Sequence, residues 1–284
     1  MSKTIFEAYN ECKAKLRTAG IEDYVFESKQ IIKHITGLDN TQILTRYNDT
    51  LTQFQEDNLT VIIKQRTVHY PLQYIIGEWS FYGNSFVVGP GVLIPRADTE
   101  TIIDVSKDCI GDNKAPEILD LCTGSGCIGI TFALLFPEAK VRMVEKYDTA
   151  SIYAWKNINR LEVKNAQLLE GDVLLGDAND DVYDLIVSNP PYIPENEMKT
   201  VSPEVEYEPE TALIAGDDGL VFYRAIVDNY KGSLKAGGTM AFEVGIGEAE
   251  AVCDIMHRAG FEGVSTQKDM NGIDRVVFGT APTV

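Results

Sequence analysis

The sequence predicts an α/β chain: a mainly parallel, doubly wound sheet preceded by a small helical unit and a β-hairpin linker. Three observations carry that expectation. Over about the first 70 of the 284 residues, apolar side chains recur at helical spacing. From Pro71 the texture turns aromatic and β-branched, broken by Gly, Asn and Pro. Beyond that point strand-like and helix-like segments alternate, the signature of βαβ units and a parallel sheet.

The helical unit is read in three pieces. Residues 4–19 carry Ile5, Tyr9, Cys12, Leu16 and Ala19 on one face and stop at Gly20. Residues 22–37 repeat the pattern with Val25, Ile32 and Ile35, ending at Gly37. Residues 52–68, with Phe54, Leu59, Ile62 and Ile63, form a third helix stopped before Pro71. The segment PLQYIIGEWSFYGNSFVVGPGVLIP reads as one or two hairpins. In the remainder, strands are expected at 117–122, 140–145, 166–172, 183–189 and 238–244, with β character closing the chain at 265–279. Helices are expected at 127–136, 148–161, 219–234 and 248–260. The resulting division is 1–74 helical, 75–95 hairpin linker and 96–284 sheet domain.

Charge is distributed unevenly. The chain has 25 Lys+Arg and 43 Asp+Glu, a net of −18. Residues 1–77 hold 9 basic and 9 acidic side chains, so the whole excess lies beyond them. An acidic domain repels nucleic acid, so no direct nucleic-acid partner is expected. No apolar run reaches the ~18 residues that span a bilayer, and no membrane partner is expected. Five scattered cysteines make no disulfide framework, and three distant histidines offer no metal-ligand spacing, so no metal is expected. The N-terminal 20 residues have no apolar core of the secretory type, and a cytoplasmic location follows.

Four strand ends carry chemistry, the first three of them in succession. The first βα turn reads Thr123-Gly124-Ser125-Gly126-Cys127-Ile128-Gly129, a G-x-G-x-x-G at a strand-to-helix junction. Its glycines admit close ligand approach, and the helix start offers free amides. Alone, this turn suits dinucleotides and adenosylmethionine equally. The next strand ends at Glu145, an acceptor for ribose hydroxyls, and the third at Asp172-Val173, an acceptor for an adenine amino group. Together they describe an adenosine site. The fourth strand ends in Asn189-Pro190-Pro191-Tyr192. Its prolines remove two amide donors, leaving carbonyls without local partners. With the Asn189 carbonyl and the Tyr192 ring, they suit a planar NH2 group. Such a group is a poor nucleophile, and holding its two hydrogens on acceptors aims the lone pair at an electrophile without a general base.

These segments resemble class I S-adenosylmethionine-dependent methyltransferases acting on planar NH2 groups. PLQYIIGEWSFYG, VLIPRADTE, YEPETALIAGDDGLVFYR and KDMNGIDRVVFG extend the likeness, over essentially the whole chain, to bacterial release-factor glutamine methyltransferases of the HemK/PrmC type. The resemblance implies a Rossmann-like seven-stranded domain behind a helical bundle. It implies methylation of the glutamine amide nitrogen (N5) in the Gly-Gly-Gln loop of peptide-chain release factors, by a monomer that releases S-adenosylhomocysteine. It assigns Thr123, Gly124, Ser125, Gly126, Glu145, Asp172, Val173 and Asn189 to the cofactor. Asn189, Pro190, Pro191 and Tyr192 go to the substrate, with Asn189, Pro190 and Tyr192 catalytic. Arg96 is either near the cofactor or in an ion pair with Glu100 or another acid. Glu145 stands where the family usually has Asp, and Cys122 and Cys127 where Gly and Ala are common. An adenine-N6 nucleic-acid methyltransferase shares NPPY but needs a basic surface. A nicotinamide enzyme leaves NPPY without a role, and a cofactor-free docking protein has no need of the intact glycine turn.

Overall fold

The computed structural model describes residues 2–176 and 182–283 and divides into two compact units. One comprises Met1–Gly77 with Ser202–Tyr207, the other Glu78–Val201 with Glu208–Val284.

The first unit holds α1 (Ile5–Thr18), α2 (Tyr24–Thr36), α3 (Asn40–Thr45), α4 (Gln53–Arg66) and α5 (Leu72–Ile76). Reciprocal capping boxes start three of them, Thr4 with Glu7, Asp39 with Gln42 and Thr52 with Gln55. Ala8, Cys12, Leu16, Ile31, Ile32 and Leu59 are buried together in its core. Val25 and Phe54, expected on apolar faces, are instead 41% and 73% exposed. Phe54 lies five residues before Leu59, about 140° around the helix from the core-facing stripe. The short α5 corrects the hairpin expectation for 71–76. Pro71 precedes it and Gly77 ends it at φ 82°, the proline-first, glycine-last punctuation of a helix.

The second unit opens with the hairpin β1 (Glu78–Phe81) and β2 (Asn84–Val87) and continues with α6 (Glu100–Ile110), which periodicity did not reveal. There follow β3 (Glu117–Leu121), α7 (Cys127–Leu135), β4 (Lys140–Glu145), α8 (Asp148–Arg160), β5 (Ala166–Glu170) and β6 (Tyr183–Ser188). The chain closes with α9 (Val221–Tyr230), β7 (Leu234–Glu243), α10 (Ala249–Arg258), β8 (Glu262–Lys268) and β9 (Asp274–Thr280). The seven strands β3–β9 form one sheet in the order β5-β4-β3-β6-β7-β9-β8. β9 runs antiparallel to β7 and β8, and the pairings from β5 to β7 are parallel.

Alternation along the central strands builds two cores. Ile118, Met143, Leu185 and Val187 pack with Ile102, Ile130 and Phe132 on one face. Leu119, Leu121, Val144 and Ile186 pack with Tyr223, Ile226, Val252 and Met256 on the other. Helices on both faces leave the carboxyl ends of the parallel strands as the open edge. The chain runs outward from β3 through β4 and β5, then returns to the other side of β3 as β6. That reversal is where open α/β sheets bind ligands.

Candidate functional site

A cleft opens at this edge, lined by residues that follow β3, β4, β5 and β6 and by the 91–99 segment. The β3–α7 turn forms its floor. Cys122 leaves the strand at φ 59°, a left-handed conformation uncommon for a residue with a Cβ. Gly124 and Gly126 follow at φ 57° and 80°. The three motif glycines do different work. A Cβ on Gly124 meets nothing closer than 4.0 Å, so its backbone lies bare towards the cleft. On Gly126 it meets Ile130 at 2.8 Å and on Gly129 Met143 at 2.5 Å, so these two permit close helix packing. Fully buried Asn157 on α8 fastens the turn, donating to the Ser125 carbonyl at 2.9 Å and accepting from the Val87 amide at 2.6 Å.

Beneath the turn lies Asp120, fully buried. The Thr123 hydroxyl and the Gly129 amide both donate to its Oδ2, and Oδ1 has no partner. Burial pushes its carboxyl up to about 7, against those two donors. Glu145, at the end of β4, is 7% exposed. It accepts the Gly124 amide on Oε2 at 2.9 Å and the Lys146 and Tyr147 amides on Oε1 at 3.0 and 2.9 Å. Burial raises its pKa while the three amides oppose the rise. Asp172 receives Lys146 Nζ at 2.8 Å and the Leu174 amide at 3.0 Å. Partial burial works against ionisation there, but these donors hold it below the ordinary carboxylate range.

Ser188 ties β6 to β3 by donating to the Leu121 carbonyl at 2.7 Å, which sets the start of NPPY. Asn189 follows, and its Nδ2 donates to Thr99 Oγ1 at 3.3 Å. Glu243, at the end of β7, is buried, and desolvation pushes its carboxyl up to about 7.

Of the sequence-nominated residues, Thr123, Gly124, Ser125, Glu145, Asp172, Val173, Asn189 and Pro191 line the cleft. Gly126, Pro190 and Tyr192 are set back from its wall. The Tyr192 ring packs at the edge of the second core, close to Gly245, where a Cβ would stand 3.1 Å from it. Arg96 lines the cleft and also pairs with Glu208, an acid 4% exposed that accepts the Ile94 amide at 2.8 Å. Glu100 is not its partner; it accepts the Tyr82 amide at 2.7 Å. Cys127 is a buried thiol pushed up to about 12 by desolvation. The sequence reading missed Thr99, Tyr147, Thr211 and Phe222, which also line the cleft. They come from loops and from a helix whose own pattern signals only packing.

Among the described residues, no three His, Cys, Asp or Glu side chains are grouped to hold a metal ion. No described helix is long and apolar enough to cross a membrane.

Residues 7–77 match the PrmC N-terminal domain family and residues 104–205 the methyltransferase small domain family. The release factor glutamine methyltransferase of Geobacter sulfurreducens is 39% identical over 282 residues, covering 97% of this chain and 96% of that protein. The enzyme of that name from Thermodesulfovibrio yellowstonii is 38% identical over 255 residues, covering 89% and 91%. Among solved structures, the hMettl16 catalytic domain in complex with a MAT2A 3′UTR hairpin aligns with a TM-score of 0.60 at 16% identity, covering 88% of this chain and 94% of that one. The Thermus thermophilus 16S rRNA methyltransferase RsmC, in complex with AdoMet and guanosine, aligns with a TM-score of 0.51 at 19% identity over 72% and 49%. These two likenesses are of fold alone. The shared length and identity with the Geobacter and Thermodesulfovibrio proteins show that the chain belongs to the release factor glutamine methyltransferase family.

Proposed function

We propose that this protein transfers a methyl group from S-adenosylmethionine to the side-chain amide nitrogen of a release-factor glutamine, in the cytoplasm. The observation that carries the reading is the convergence of Glu145, Asp172 and Asn189 on one cleft at the switch point of the sheet. The donor set fits a cationic nucleoside cofactor. The cleft's two basic groups, Lys146 and Arg96, are paired with Asp172 and Glu208, so neither is free for a pyrophosphate. Glu145 keeps acceptor capacity beyond its three amides, enough for a ribose hydroxyl. The bare Gly124 backbone and the Thr123–Ser125 turn would hold the methionine end, with Gly126 keeping the helix start close behind. Asp172 and Val173 would border the adenine.

S-Adenosylmethionine supplies an electrophilic methyl group on a sulfonium. Asn189 Oδ1 and the Pro190 carbonyl would accept the two hydrogens of the substrate amide, turning its nitrogen lone pair towards that methyl. Pro191 would form the adjoining wall, and Tyr192 would support the turn from behind. Transfer of that methyl group would leave the cofactor sulfur neutral and the amide nitrogen with one proton in excess, which would pass to water. Orientation and electrostatics carry the acceleration, so no histidine is required.

The test is to incubate the protein with isotope-labelled S-adenosylmethionine and a release factor, then locate the label by mass spectrometry. Label on the glutamine amide is expected, and Asn189→Ala is expected to lower kcat by about 10²-fold while cofactor affinity holds. Label on another residue, or on adenine when DNA is offered, overturns the reading.

A further inference from the structure

Among the described residues, Arg96 and Lys146 are the cations that line the cleft. With S-adenosylmethionine as the cofactor, they share the cleft with a ligand whose reactive end is itself a cation. The methyl donor carries a positive sulfonium, and S-adenosylhomocysteine, left after transfer, has lost that charge. A bare cation in the cleft would therefore favour the spent cofactor over the fresh one.

The two charges are compensated in different ways. Lys146 meets Asp172 at 2.8 Å, and Asp172 lines the cleft itself, so that pair is open to solvent and screened by it. Arg96 meets Glu208, which stands behind the wall with its side chain 1% exposed. A carboxylate so buried is costly unless donors meet it. Glu208 has two: Oε1 accepts Arg96 Nη2, and Oε2 accepts the Ile94 amide at 2.8 Å. Both donors belong to the 91–99 segment, so the acid is tied to one wall of the cleft.

Glu208 is also fixed from its own side. Pro209, Thr211 and Ala212, just beyond it, form another part of the wall. The Leu213 carbonyl then accepts the Ile193 amide at 2.8 Å, and the Ala215 amide donates to the Ile193 carbonyl at 2.9 Å. Ile193 directly follows the NPPY tetrapeptide. The stretch 208–215 is thus pinned at both ends, which holds Glu208 against Arg96. The negative charge reaches Arg96 from the protein side and takes no space in the cleft.

We infer that Glu208 is a specificity-determining residue for the cofactor: by masking the Arg96 charge from inside the wall, it sets how strongly the cleft favours the charged methyl donor over its neutral product. The inference rests on S-adenosylmethionine being the cofactor.

The experiment is calorimetric titration of the full chain with each nucleoside at about pH 8, above the ordinary carboxylate range, read as the ratio of the two Kd values. Glu208→Gln keeps an acceptor for the Ile94 amide and removes the counter-charge. It is expected to weaken S-adenosylmethionine about tenfold relative to S-adenosylhomocysteine. Arg96→Met is the mirror case: it leaves a carboxylate that the Ile94 amide keeps ionised, and it is expected to shift the ratio about threefold or more the other way. The double variant Arg96→Met/Glu208→Gln has no charge to mask, and its ratio is expected within about threefold of wild type. A purely structural role would move both affinities together and leave the ratio alone. A shift below threefold or in the wrong direction in either single variant, or a double variant displaced by more than threefold, overturns the inference. Should Glu208→Gln fail to fold by circular dichroism, Arg96→Met decides on the same criterion. A wild type that binds neither nucleoside defeats the cofactor reading and this inference with it, whereas wild-type binding with an unmoved ratio in the variants defeats only the role of Glu208.

Discussion

The helical unit and the sheet unit both bury charge, and they treat it in opposite ways. In the helical unit Arg66 is 4% exposed and saturated on one side. It donates to Glu27 at 2.6 and 2.9 Å and to Glu204 at 2.9 Å, leaving Nη1 without a partner. His69 lies 3.0 Å from the same Glu204, and the Tyr207 hydroxyl donates to the Val68 carbonyl at 2.9 Å. Charge there is compensated, and it fastens residues 202–207 to helices far away in sequence. Burial works against ionisation of Glu204, yet His69 and Arg66 keep it below the usual range. Around the cleft, Asp120 and Glu243 each have a buried oxygen with no partner, and desolvation pushes both up to about 7. Paired charge holds chain segments together; the under-paired acids beside the cleft are buried at a cost in stability.

The sharpest way to break this contrast is Arg66→Met. It leaves two carboxylates facing each other, and because Glu27 and Glu204 are partly exposed the cost falls at the low end for a broken buried pair, about 3 kcal/mol. Hydrogen-exchange protection in α2 and α4 is expected to collapse while the cleft still binds cofactor; unchanged protection would mean that the pair is dispensable.

Stability against pH separates the two regions next. A carboxyl whose folded pKa is raised keeps its proton in the folded state after the unfolded chain has lost it, so stability falls as pH rises between about 4 and 7. Asp120 and Glu243, both fully buried, have this sign, with values of about 7. Glu204 and Asp172 have the opposite sign, and their contribution is present above the ordinary range and lost as pH falls through their lowered values. Thermal melts are expected to show a lower Tm at pH 7.5 than at 5.5, at up to about 1.4 kcal/mol per pH unit for each raised group. Asp120→Asn should flatten that slope, and an unchanged slope would remove Asp120 from the set.

Glu145→Ala tests whether the third cleft acid binds rather than braces. Cofactor affinity is expected to fall by about 1–3 kcal/mol, as hydrogen bonds to a charged group are lost. Calorimetry with an unaltered Kd would exclude Glu145 from the site. The smallest effect concerns Cys122. A left-handed residue with a Cβ carries about 1 kcal/mol of strain, which glycine relieves at the cost of more freedom in the unfolded chain. Cys122→Gly is expected to raise Tm by about 1–3 °C and Cys122→Ala not to raise it; equal melts for both would show no strain at that position.

Strand–helix alternation, the glycine turn and the acids at successive strand ends are legible in the residues alone, because each is written in local spacing or local backbone chemistry. Glycine spacing and strand ends place Thr123, Glu145, Asp172 and Asn189 at one sheet edge once the strands are parallel. Tertiary structure alone decided what meets across the chain. Asn157 grips the turn from a helix whose pattern signals only burial, and Asn189 meets Thr99 from 90 positions away. It also made α5 a helix within a β-rich stretch, and it set Tyr192 back from the cleft although its motif reads as a wall. The physical reason is common to these cases: hydrogen-bond partners and packing neighbours are chosen by closeness in space after folding, and a linear pattern records only which face a residue shows.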